Sequence, residues 1–253
     1  MSMDELVGRA QQLVEDGVTP ACQLAVARDG AILAFETFGA ATNESRFCAF
    51  SATKPIVASM TWLLIDDGLL ATDQLVADHV PEFGSYGQDV ITIEVLLHTS
   101  GFPNALVRPV DGANRALRRL RFAQWELEWE PGTRFEYHAT SADPDGLWNS
   151  ETLRDATTHV RCTFDDPLMG VPVNRTIGLA LAGDDGLHQF RYAMFGKECS
   201  PGSFGHGGAY LQVAWADPAT GTSFAFLKNG YHEDMLGDAT NVMPLCDLAA
   251  GLP

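Results

Sequence analysis

Ser51 and Lys54 stand three residues apart in "FCAFSATKPIVASM", residues 47–60, just ahead of an apolar run. On the first turn of a helix this spacing projects both side chains from neighbouring positions of one face. A serine hydroxyl is a poor nucleophile until a base takes its proton, and a neutral lysine amine at that spacing could do so. A helix N-terminus adds free backbone N–H donors and favours negative charge on the serine oxygen. With 11 serines and three lysines in 253 residues, chance produces such a pair in about one chain of this composition in eight, so context must support it. On the pair alone, a capping serine beside an exposed lysine stays open.

Two further segments supply context. Tyr137 lies in "PGTRFEYHATSA", and a tyrosine relays protons between serine, lysine and leaving group when its phenol is held beside a cation. His206-Gly207-Gly208 lie in "FGHGGAY". Glycines on a strand let a substrate approach the backbone, and an N–H from that strand could complete an oxyanion hole with the N–H of Ser51. The alternatives are a core aromatic with a satisfied hydroxyl and a simple bulge. Other chemistries lack their motifs: there is no G-x-S-x-G, the nearest being "PGSFG" around Ser203. Neither H-E-x-x-H nor a Cys/His cluster suggests a metal, and no cofactor is expected. His98 and His138 flank the expected site and read as structural.

These groups need elements to position them. Leu6, Ala10, Leu13 and Val14 recur at helical spacing, which predicts a helix from about Met3 to Asp16, closed by Gly17. Apolar runs on either side of Arg28-Asp29-Gly30 predict a hairpin. Ile56, Val57, Met60, Leu63 and Leu64 suggest one stripe of a helix running from Ser51 to about Ala71. "ITIEVLLHTSGF" reads as a short helix capped at Thr92 and ended by Ser100-Gly101. In the last third, "RTIGLALAGD", "SPGSFGHGGA" and "YLQVAWADPATGTSFAFLKNG" read as strands, with a corner at Pro218 to Gly221, before a closing helix. The expected fold is α+β, an antiparallel sheet flanked by helices with a helical insertion. It is read as one domain over 1–253, with a sheet lobe at 1–50 and 175–253 and a mainly helical lobe at 51–174.

The bulk properties bound the partners. A net charge of −17, from 33 acidic and 16 basic residues, argues against nucleic acid and anionic membrane surfaces. Arg115, Arg118, Arg119 and Arg121 form the one basic cluster, read as a solvated helix face paired with Glu126, Glu128 and Glu130. Cys22, Cys48, Cys162, Cys199 and Cys246 are widely spaced and odd in number, as in a reduced protein. The acidic, amphipathic start differs from a signal peptide, and no stretch approaches a membrane span. The cytoplasm is the expected location; oligomeric state is left open.

Taken in order, these segments resemble the serine β-lactamase and penicillin-binding-protein superfamily. They are most similar to its class C-like branch, which includes the β-lactamase-fold esterases. "LLHTSGFP" resembles that branch's "LLTHTSGLP", "PGTRFEY" the approach to its Y-x-N tyrosine, and "FGHGG" the place of K-T-G or H-x-G. The resemblance covers nearly the whole chain. It implies a β-lactamase/transpeptidase-like fold with Ser51 as acylated nucleophile, Lys54 as its base and Tyr137 as partner in proton transfer. It also implies an oxyanion hole from the N–H groups of Ser51 and Ala209, with His206, Gly207 and Gly208 lining the cleft.

The chain departs from that pattern at Ala139, where Y-x-N has its asparagine, at His206, where K-T-G has its lysine, and in a short segment after Tyr137. The first two point away from efficient β-lactam hydrolysis. The expected function is a serine hydrolase acting on a small-molecule ester or amide, foremost a carboxylesterase. The rivals are a D-amino-acid peptidase, β-lactamase or acyltransferase on the same site, and an inactive scaffold that keeps the fold.

Overall fold

The computed structural model describes residues 1–84, 88–93, 98–102, 111, 114–137, 150–167, 170–187, 194–232 and 234–253. Two compact units divide the chain: Met1–Pro55 with Leu179–Pro253, and Ile56–Gly178.

In the first unit, helix α1 (Met3–Glu15) starts from a capping box. The Ser2 hydroxyl accepts from the Glu5 N–H at 3.2 Å, and the Glu5 carboxylate accepts from the Ser2 N–H at 2.7 Å. These bonds to Ser2 hold the Glu5 carboxyl below its ordinary value. Leu6, Ala10 and Leu13 form its buried stripe. Strands β1 (Ala21–Arg28) and β2 (Ala31–Gly39) are joined by Asp29-Gly30, both at positive φ (48° and 80°). That is the backbone of a type I′ turn, whose twist matches the strands it joins. After β3 (Arg175–Thr176), which belongs to the second unit, come β4 (Leu179–Leu181), β5 (Phe204–Gly208), β6 (Gln212–Asp217) and β7 (Thr222–Lys228).

Within the first unit the strand order is β2-β1-β7-β6-β5-β4, each antiparallel to its neighbours. Alternation sends Cys22, Leu24 and Val26 of β1, Val213 and Trp215 of β6, and Phe224 and Phe226 of β7 to one face. There they meet α1 and the closing helix α6 (Met235–Ala250) in one core. The other face is lined by small residues, Ala25, Ala27, Ala214, Ala216 and Ala225, around a cavity of about 310 Å³. Burial pushes the Cys22 and Cys199 thiols up to about 11 and that of Cys246 higher still, while Cys48 is exposed; none of the five is in a disulfide.

The second unit holds α2 from Ile56 onward (Lys54–Asp66), α3 (Val76–His79), α4 (Arg115–Phe122) and α5 (Ser150–Thr158). Helix α2 buries a different line from the expected stripe. Ala58 and Trp62, with Ile65, pack against Ala156 and Ile177, while Ile56 and Leu64 are 51% and 40% exposed. Almost every position of "IVASMTWLLI" is apolar or small, so periodicity does not select a face. The indole decides it, donating to the Ile177 carbonyl at 3.2 Å with the Arg161 guanidinium 5.2 Å from its ring. The helix also ends sooner than expected, at Asp66.

On α4, Arg119 and Arg121 pair with Glu82 (3.5 Å) and Asp111 (3.0 Å), acids outside the "ELEWE" run. Of the short helix expected in "ITIEVLLHTSGF", residues 94–97 lie outside those described. Of its two ends, Thr92 forms a bridge with Leu75 and Gly101 has φ 95°. No helix among the described residues is long and apolar enough to cross a membrane.

Candidate active site

Ser51 sits in a 3₁₀ turn, Phe50–Thr53, that runs directly into α2. Pro55 accounts for the tighter winding. An α-helical bond to the Ser51 carbonyl would have to come from residue 55, and proline has no N–H. The carbonyl accepts from the Lys54 N–H instead, an i→i+3 bond. Side chains three apart eclipse in this winding, and the Lys54 Nζ lies 3.2 Å from the Ser51 Oγ. Lys54 is only 5% exposed, while Ser51 keeps partial access. The first bonded donor of the turn is Ala52, whose N–H reaches the Ala49 carbonyl at 3.1 Å. The N–H groups of Phe50 and Ser51 therefore precede any that can bond within the helix.

Strand β5 arrives beside this turn. A Cβ at Gly208 would overlap the carbonyl of Ala49, so only glycine permits the approach. Ala209, exposed, follows at once after the strand that packs against the Ser51 turn. His206 is 2% exposed and pairs across the sheet with Ala214, on the face away from α1 and α6. Its Nδ1 lies 2.6 Å from the Gly207 carbonyl. A carbonyl only accepts, so Nδ1 carries the proton in that bond.

The turn Ala209–Leu211 holds Tyr210 and Leu211 at φ 58° and 62°, and Phe50 stands at φ 47°. Left-handed backbone costs an L-residue about 1–2 kcal/mol. The fully buried Gln212 anchors this turn: its amide N–H reaches the carbonyls of Lys228 (3.2 Å) and Tyr210 (3.4 Å), and its amide oxygen accepts from the Lys228 N–H (2.9 Å). The Lys228 ammonium, buried completely, donates to Asp238 at 2.6 Å and to the Gly230 carbonyl at 3.2 Å. Sequence reasoning passed over Gln212, Lys228 and Asp238. One signal was available: Lys228 continues the inward phase of Phe224 and Phe226, where a cation needs a buried partner.

Tyr137 belongs to the second unit. It is 38% exposed, its ring tilted against His98 at 4.7 Å between centroids, with the Arg175 guanidinium 5.5 Å from the ring. Its neighbour Phe135 is buried with Cys162 and Val173, and the Glu136 N–H donates to the His98 carbonyl at 3.0 Å. His98 itself is buried at φ 69°. His138, Ala139 and the short segment that follows lie outside the described residues. Among the described residues, no group of three or more His, Cys, Asp or Glu is placed to hold a metal ion.

The Beta-lactamase family profile matches residues 6–143, more than half of the chain. The chain belongs to the beta-lactamase family. Solved structures agree on the fold of this family member, an antiparallel sheet flanked by helices. A penicillin-binding protein homolog from Caulobacter crescentus superposes with a TM-score of 0.73 at 18% identity, over 96% of this chain and 95% of its own. EstA from Arthrobacter nitroguajacolicus Rue61a gives 0.70 at 15% identity, over 96% of both chains. A family VIII carboxylesterase gives 0.69 at 16%, also over 96% of both. Comparison with curated proteins gives no match.

Proposed function

We infer that this beta-lactamase-family protein is a serine hydrolase that works through an acyl-enzyme on small esters, a carboxylesterase. The observation that carries this reading is the Lys54 Nζ at 3.2 Å from the Ser51 Oγ, on a turn that Gly208 touches. In the proposed reaction the Ser51 Oγ attacks the ester carbonyl and its proton passes to the Lys54 amine. The oxygen of the tetrahedral intermediate accepts from the N–H groups of Ser51 and Ala209. Each such donor is worth about 10²–10³ in rate. On collapse the alkoxide leaves with a proton delivered through Lys54 and Tyr137, and water cleaves the acyl-enzyme by the reverse relay. No cofactor enters these steps.

Two observations favour esters over β-lactams. Ala139 offers no amide to an acylamino group. His206 is buried and bonded to its own strand, a poor substitute for a lysine that would face a β-lactam carboxylate. The structural likeness to an EstA and to a family VIII carboxylesterase supports the same choice. The test is a fluorophosphonate label followed by intact mass and peptide mapping. One adduct on Ser51, lost in Ser51→Ala together with p-nitrophenyl ester turnover, is the expected result; an unlabelled, folded wild type would support the inactive scaffold instead.

A further inference from the structure

Three aromatic rings converge in the first unit, two of them on residues adjacent in sequence to the proposed oxyanion donors. Phe50 immediately precedes Ser51, and Tyr210 immediately follows Ala209. The rings of Tyr210 and Tyr231 stack at 4.5 Å with 28° between planes. Phe50 meets both edge-on, at 5.5 Å and 5.4 Å between centroids. The cluster is open to solvent: Tyr231 is 47% exposed, and Phe50 and Tyr210 are partly so.

Two of the three rings stand on costly backbone. Phe50 and Tyr210 have φ 47° and 58°, where glycine would be free of strain. Bulky residues persist in such conformations when the surroundings over-determine them, and they cluster at sites where the strain serves binding or reaction. The strained residues adjoin the proposed donors in sequence, Phe50 just before Ser51 and Tyr210 just after Ala209. A group attached to the carbonyl carbon stays in this neighbourhood through both half-reactions, whereas the alcohol departs after the first.

We propose that Phe50, Tyr210 and Tyr231 form the acyl subsite and that it selects neutral esters of aromatic carboxylic acids. This rests on the serine hydrolase reading. A flat aryl ring can meet the faces and edges of the three rings at the 4.5–7 Å separations that aromatic pairs favour. A net charge of −17 disfavours aryl groups that carry further negative charge.

Boronic acids test this, because the group on boron occupies the acyl position. The Ser51 Oγ lone pair forms the O–B bond, the hydroxyl proton passes to Lys54, and no bond to boron breaks. Phenylboronic and butylboronic acids are compared as inhibitors of p-nitrophenyl acetate hydrolysis by the full chain. The wild type is expected to bind the phenyl compound about five- to tenfold more tightly. Tyr231→Leu, on the half-exposed ring away from the strained turn, should reduce that preference to about twofold or less, and Tyr231→Phe should keep it. Equal inhibition by both acids in the wild type, or a preference that survives Tyr231→Leu, overturns the aromatic subsite and leaves the hydrolase standing. No inhibition by either acid, together with no fluorophosphonate adduct, overturns the hydrolase reading and this inference with it.

Discussion

Around Ser51 the chain is held by its backbone. The winding of the turn follows from Pro55, the close approach of β5 from Gly208, and the path beyond Ala209 from a buried amide and a buried ion pair. Tyr137 is held differently. Its ring leans on His98 and on the Arg175 guanidinium and remains 38% exposed. Groups fixed by backbone geometry cannot adjust to a substitution without moving what they position, whereas a partly exposed side chain can be altered at little structural cost. The two regions should therefore answer mutation in opposite ways, the first losing turnover and tolerance together and the second losing turnover alone.

Lys54→Met gives the largest expected effect. It keeps the volume of a buried side chain but removes the proposed base, and ester kcat should fall about 10³- to 10⁴-fold. Retained near-wild-type turnover would remove Lys54 from the mechanism. Next comes Gly208→Ala, whose added methyl must displace the Ala49 carbonyl. A shifted Ala209 N–H should cost about 10²- to 10³-fold in kcat, and urea unfolding should show about 1–3 kcal/mol of lost stability. Tyr137→Phe is the mildest, at about 10- to 100-fold in kcat with the Tm unchanged within about 2 °C. A large Tm loss there, or none in Gly208→Ala, would break the contrast between the two regions.

The sequence announces some of this plainly. Asp29-Gly30 between apolar runs specifies a hairpin through its demand for positive φ. Glycines in "FGHGG" mark a strand that another backbone approaches, and Ser-x-x-Lys becomes a 3.2 Å contact. Other features were hidden for physical reasons. A helix apolar on nearly all sides does not declare its inward face, and Trp62 chose it through one hydrogen bond and one cation contact. Arg119 found an acid distant in sequence, Glu82, and Arg121 one on the other side of the helix start, Asp111, because proximity on a helix surface is only one way to meet a charge. The Gln212–Lys228–Asp238 network joins two strands and a helix, so local pattern carried no sign of its partners.

The strand order also sets a schedule. β1 pairs with β7, Cys22 opposite Lys228, and the Ser51 turn abuts Gly208. At the usual pace of synthesis, roughly 5–20 residues per second, the nascent chain would display Ser51 and Lys54 for roughly 8 to 30 s before the strand that touches their turn is made. The proposed nucleophile and base are present early, but the proposed charge-stabilising pair exists only once the last strands close the sheet, so the chain would gain the proposed chemistry and its fold in the same step.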